Sequence, residues 1–222
     1  MLAHISKNAD KRIIDALKQE GFETVLLSPF DALSQPVSSH ADMLLCAVGN
    51  VIFKHSDYTL EGDFVNITEK IGAKYPLDVL LNIAIVGNHV FANVKHASKT
   101  VLDYLEKSGY SIHHVSQGYA HCSTCIVSNN AIITADHTIA LTAQNEGIDV
   151  LLIGAEHISL PPYEYGFIGG ATGTTNDSIY FCGSLSHHPD GENIRAFIEA
   201  HGKSVIELSN SPLSDVGGIL FI

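Results

Sequence analysis

His121 and Cys122 stand side by side in the run Gly118-Tyr119-Ala120-His121-Cys122-Ser123-Thr124-Cys125-Ile126-Val127. A thiolate is the reactive form of cysteine, and a neighbouring imidazolium or bound cation lowers the thiol pKa, so this pair suits a sulfur nucleophile. A buried structural cysteine is the alternative, because cysteine is among the most buried residue types. His121-Cys122-x-x-Cys125 also has metal-ligand spacing, with His137, Cys182, His187 and His188 available as further ligands. On a strand, however, Cys122 and Cys125 are an odd number apart and face opposite sides, a poor chelate. No metal or organic cofactor is expected.

Bulk properties limit what such a pair could serve. The chain has 222 residues, 45% hydrophobic and 16% charged, enough to bury a large core. Its net charge of −12 disfavours nucleic acid as a partner and favours cationic ligands in any cleft lined by carboxylates. The apolar run Val79–Val86 is far short of the roughly 20 residues of a membrane helix and is interrupted by Asn82. The N-terminus carries Lys7, Asp10, Lys11 and Arg12 and no apolar core of a signal peptide, so a cytoplasmic protein with no membrane partner is expected. Four cysteines without a secretory signal then read as free thiols.

The elements that must position the thiol repeat along the chain. The run around Cys122 continues through Ser128-Asn129-Asn130 into Ala131-Ile132-Ile133-Thr134, a strand, a turn with Asn where positive φ costs little, and a return strand. A helix over about Thr138 to Asn145 and a strand Asp149–Ile153 follow. His40–Val48 with Gly49-Asn50 and Val51–Lys54 is a second hairpin, and Asp78–Val86 with Gly87-Asn88 and His89–Ala92 a third. Tyr165–Gly173 with Ser178–Cys182 is another, followed by a helix from Gly191 to His201 and the strand Ser204–Leu208. The period predicts a helix around Ile13, Ile14 and Leu17, capped by Asn8 or Ser6 and stopped by Gly21, then a strand Glu23–Ser28. Asp215–Ile222 reads as a first strand without the rest of its unit, and residues 1–39 supply that rest.

Turn spacing supports joining these ends. Gly49 to Gly87 is 38 residues, Gly87 to Asn129 is 42 and Asn129 to Asn176 is 47, while residues 215–222 and 1–39 together span 47. Five units of one order imply a closed ring in a single domain, with approximate units 215–222 plus 1–39, 40–77, 78–117, 118–164 and 165–214. An ordinary open α/β sheet with similar hairpins is the competing arrangement.

Five strand-strand-helix-strand units in this length resemble the pentein fold, an α/β propeller shared by enzymes that modify guanidino groups and by a ribosome anti-association factor. Gly118-Tyr119-Ala120-His121-Cys122-Ser123-Thr124 is similar to the Gly-x-x-His-Cys-x-Thr around the nucleophile of agmatine and peptidylarginine deiminases. Ser39-His40-Ala41-Asp42 resembles their Gly-His-x-Asp, with Ser39 in place of the Gly, and Asp215-Val216-Gly217-Gly218-Ile219 is distantly similar to their Glu-Gly-Gly-Asp strand with the acid out of register. The order of these motifs around the ring is the same, but the chain starts at a different unit, which implies a circular permutation.

The resemblance implies that Cys122 attacks a guanidinium carbon to give a covalent thiouronium that water or an amine then resolves. His40 would protonate the leaving amine and then serve as base for water. Asp42 and Asp215 would hold the planar cation through paired hydrogen bonds, with Asp78 a further candidate in the intervening unit. Competing readings are a surface histidine for His40 and a strand cap and a turn residue for the two acids. The implied partner is a cationic guanidino small molecule, a homo-oligomer is left open, and the rival function is a non-catalytic binding protein on the same fold.

Overall fold

The computed structural model describes residues 1–222 and contains five three-stranded sheets. They are built from β1 (Leu2–Ser6) and β2 (Glu23–Leu27); β3 (Leu45–Val48), β4 (Val51–His55) and β5 (Val65–Ile67); β6 (Ala84–Val86), β7 (His89–Ala92) and β8 (Ser111–His114); β9 (Thr124–Ser128), β10 (Ala131–Thr134) and β11 (Asp149–Leu152); and β12 (Thr172–Thr174), β13 (Ser178–Phe181) and β14 (Ser204–Glu207). The last strand, β15 (Leu220–Phe221), pairs antiparallel with β1 and completes the first sheet. Leu2 and Ile222 exchange both backbone hydrogen bonds, at 2.7 and 2.9 Å, so the two ends of the chain are joined.

In every sheet an antiparallel pair, a hairpin in all but the first, is extended by a parallel third strand. A parallel pair needs a crossover, and four sheets use a helix for it: α1 (Lys11–Gln19), then, after the single turn α2 (Ala41–Leu44), α3 (Lys99–Lys107), α4 (His137–Asn145) and α5 (Gly191–Ala200). The second sheet has no helix between β4 and β5, which corrects the expectation of one order of elements in all five units. Gly62 and Gly72 dilute the helical period there, and its crossover is loop. No helix is long and apolar enough to cross a membrane.

Local chemistry explains most boundaries. Asp10, not Asn8 or Ser6, caps α1 by accepting from the Arg12 N–H; Ser98 caps α3 and Asp136 caps α4. Gly49 and Gly87 take φ of +57° as the first central residue of their two-residue turns, the position where a mirror-image turn needs glycine. Asn129 and Asn130 do not adopt positive φ, contrary to expectation; a register irregularity at Ala131/Ile132 absorbs the twist instead.

The first strand of each sheet is shorter than the apolar runs suggest. Residues 41–44 form a helical turn, residues 120–123 turns, and Gly169–Ala171 a short 3-10 helix, each just ahead of its strand. Residues 41–44 and 169–171 are buried throughout, so they carry no alternation that would tell strand from helix, whereas Tyr119 and His121 are half-buried.

The core lies between neighbouring sheets. Phe53, Leu81 and Leu105 fill the gap between the second and third sheets, Phe91, Ile132 and Ile139 the next, and Ile133, Phe181 and Ile198 the one after. Ile5, Leu17 and Tyr180 close the fifth sheet onto the first. At roughly 1.5–3 kcal/mol for each large side chain buried, these interfaces stabilise the ring as a whole rather than any one unit.

Candidate active site

Each candidate residue sits in the turn that precedes the first strand of its sheet. His40 and Asp42 flank the start of α2, where the Asp42 N–H donates to the Gly217 carbonyl at 3.0 Å. Cys122 belongs to the turn before β9, held by the Ser123 N–H on Tyr119 and the Thr124 N–H on His121. Asp215 precedes β15, its neighbour Val216 donating to the Gly170 carbonyl. Glycine permits this crowding: a Cβ on Gly170 would lie 2.1 Å from Asp215 Oδ1, and one on Gly217, at φ +79°, 2.1 Å from His40 Cβ.

The structure brings four of the five candidates together. Cys122 Sγ lies 2.7 Å from Asp42 Oδ2, across 80 positions of sequence. Such an approach requires a hydrogen between the two atoms, since thiolate and carboxylate would repel. His40 Nδ1 is 3.7 Å from Asp215 Oδ1, and both side chains are buried. Asp215 also accepts from the N–H groups of Phe167 and Gly217, each at 2.9 Å. Cys122, His40 and Asp215 line one cavity of about 260 Å³, walled by Tyr119, Tyr163 and Phe167 among others. Asp42 separates it from a second cavity of about 150 Å³, into which His121 also faces. Asp78 stands outside the cavity, accepting from the Tyr119 hydroxyl at 2.7 Å, so it supports a cavity wall.

Burial sets the protonation states. The Cys122 thiol is pushed well up by burial and then by the charges of Asp42 and Asp215, with the Asn82 amide opposing. Burial and the nearby Asp215 raise Asp42 well above the usual carboxylate range. Asp215 is raised to about 6 by burial, although two N–H donors pull the other way. His40 is lowered to about 4 by burial, as is His121, whose Nδ1 is sealed from solvent without a hydrogen-bond partner. At neutral pH the imidazoles are therefore neutral, which corrects the expectation that a nearby imidazolium lowers the Cys122 pKa; a cation bound among the carboxylates is the remaining way to do so.

Asn82 is the residue that sequence reasoning missed. Fully buried, it accepts from the N–H groups of His121 (2.8 Å) and Cys122 (3.1 Å) through Oδ1 and donates through Nδ2 to Cys122 Sγ (3.0 Å) and the Asp42 carbonyl (3.2 Å). Its signal was a lone polar residue inside the apolar run Val79–Val86. Cys125 packs between the fourth and fifth sheets while Cys122 packs beside Met43 and Leu44, so the two do not share a ligand sphere. All four cysteines are free and buried.

A family model described as "Family of unknown function (DUF6873)" matches residues 4–220. The chain belongs to this family. No curated protein matches this DUF6873 chain. Among solved structures it is similar to DDAH from Pseudomonas aeruginosa in complex with citrulline, at 13% identity and TM-score 0.55, covering 94% of this chain and 92% of that one. Agmatine deiminase from C. jejuni matches at 9% identity and TM-score 0.53, covering 94% and 87%. An amidinotransferase of a saxitoxin biosynthetic pathway from Microseira wollei matches at 12% and 0.53, covering 93% and 74%. These are pentein superfamily members, and the DUF6873 chain has their α/β fold.

Proposed function

We propose that this chain is a cysteine-dependent enzyme acting on a guanidino compound by hydrolysis of a C–N bond or transfer of the amidino group. The observation that carries the reading is Cys122 Sγ held 2.7 Å from the Asp42 carboxylate in the wall of a cavity shared with His40 and Asp215. The pentein enzymes it resembles, whose names include a deiminase and an amidinotransferase, add support.

The protein groups alone keep the thiol protonated. A guanidinium seated between Asp42 and Asp215 offsets their charge, lowers the thiol pKa and favours ionised Asp42, whose proton is released to solvent. The sulfur proton passes to His40, beside Asp215. Sulfur bonds to the guanidinium carbon, and the C–N bond to the departing amine breaks as that amine takes the proton from His40, leaving a thiouronium on Cys122. Water, deprotonated by His40, or an acceptor amine then displaces the sulfur and restores the thiol.

The cavity also bears on the far end of the substrate. Beyond the reactive groups it is lined by Tyr119, Tyr163, Tyr165 and Phe167 with Glu164, and by no lysine or arginine. A free carboxylate on the substrate has no cationic partner there, so guanidines ending in an amine or an apolar group are favoured over arginine itself.

Incubation with chloroacetamidine, followed by mapping of the adduct by mass spectrometry, tests the reading. Labelling should fall on Cys122 alone and be abolished in Cys122→Ser and strongly slowed in His40→Ala. Slow labelling spread over all four cysteines would remove the enzyme reading and leave a binding protein on the same fold.

A further inference from the structure

The third and fourth sheets meet at a group of side chains unrelated to the Cys122 cavity. His89 opens β7, His113 lies on β8, and Glu146 ends α4 of the following unit. The parallel register pairs Phe91 with His113, which puts His89, Phe91 and His113 on one face of the third sheet. His89 Nδ1 is 3.0 Å from His113 Nε2, His113 Nδ1 is 3.4 Å from Glu146 Oε1, and His89 Nδ1 is 3.9 Å from Glu146 Oε2.

We propose that His89, His113 and Glu146 form a binding site for a zinc-type divalent transition metal. One nitrogen of each ring and one carboxylate oxygen fall within 4.8 Å of one another. Tetrahedral zinc at bond lengths of about 2.0–2.1 Å spaces its ligands roughly 3.3 Å apart, so modest ring rotations suffice. Two imidazoles and one carboxylate are a donor set that zinc accepts while keeping a coordination position for solvent. The facing ring nitrogens at 3.0 Å share a hydrogen in the ion-free chain, which a cation would displace as the rings part to admit it.

The surroundings hold these donors in place. The His113 ring stacks on Phe91, with centroids 5.3 Å apart and planes at 24°, which restricts its rotation. The Glu146 backbone is fixed by the end of α4, where its N–H donates to the Ala143 and Gln144 carbonyls and Gly147 follows at φ +77°. That helix end carries the partial negative charge of its last carbonyls, which favours a cation. The side chains remain 28%, 15% and 38% exposed, open enough for an ion to enter and for water to complete its shell. A bound ion would tie two strands of one sheet to the helix of the next and so clamp one interface of the ring.

The test is calorimetric titration of zinc chloride into the full chain after treatment with a chelator. One ion per chain should bind, with affinity reduced by at least about tenfold in His113→Gln and in Glu146→Gln and unchanged in Cys122→Ser. Zinc should raise the melting temperature of the wild type and not of Glu146→Gln, a substitution at an exposed position that leaves the core intact. Cobalt loading should give a spectrum without sulfur-to-metal charge transfer. Absence of saturable one-to-one uptake, uptake retained in both variants, or a thiolate signature with cobalt would each overturn the site.

Discussion

The carboxamide of Asn82 grips the backbone on one side of Cys122 and its sulfur on the other, so the thiol's position depends on a residue 40 positions away. Asn82→Ala leaves two buried N–H groups unpaired, at about 1–3 kcal/mol each. A stability loss of about 2–6 kcal/mol in urea denaturation is expected, with slower labelling of Cys122. Asp215 makes a prediction with a definite sign. Its folded pKa of about 6 exceeds the unfolded value near 3.9, so its contribution is fully present below pH 4 and is lost as pH rises through 6. Asp215→Asn should therefore gain stability relative to wild type between pH 4 and 6, on the order of 3 kcal/mol, then level off. A difference that shrinks over that range would refute the assignment. At this scale Cys122, His40, Asp42 and Asp215 were legible as chemistry-bearing types, whereas Asn82 was not, because its partners lie in other units and no local pattern names them.

The turns ahead of the first strands set the direction in which the site residues point. Sequence patterning located the crossover helices α1, α4 and α5 and the hairpin turns but extended the first strands too far back, since an apolar run does not by itself tell strand from helical turn. The residues so misread, 41–44 and 120–123, carry or adjoin Asp42 and Cys122, and their departure from strand geometry lets the two side chains meet. The same crowding makes the glycines testable. A methyl group at Gly170 would strike the Asp215 carboxylate, so Gly170→Ala should retain its far-ultraviolet circular dichroism, melt several degrees lower and lose selective labelling of Cys122. Tyr119→Phe strips Asp78 of its one side-chain donor and should cost about 1–3 kcal/mol in the same denaturation assay.

The ring was legible as a count of units and a residual half-unit at each end, and the pairing of β1 with β15 is its physical expression. The missing helix of the second unit showed only as the glycines 62 and 72 that dilute the helical period there, because a crossover can be loop as well as helix. Closure predicts that the breakpoint is arbitrary: a permuted chain opened at Gly49-Asn50, with residues 222 and 1 bridged by a short flexible linker, should fold and still label at Cys122. Deleting Leu220–Ile222 should instead broaden the denaturation transition and abolish labelling, since one interface loses its edge. Closure also has a bearing on synthesis. His40, Asp42 and Cys122 all precede Asp215 in the chain, so a product stopped before residue 215 would possess the sulfur without the second acid of the proposed anion pair. Under the proposed reading, reactivity toward a cation would thereby be deferred until residue 215 has been made, and shorter products would stay inert.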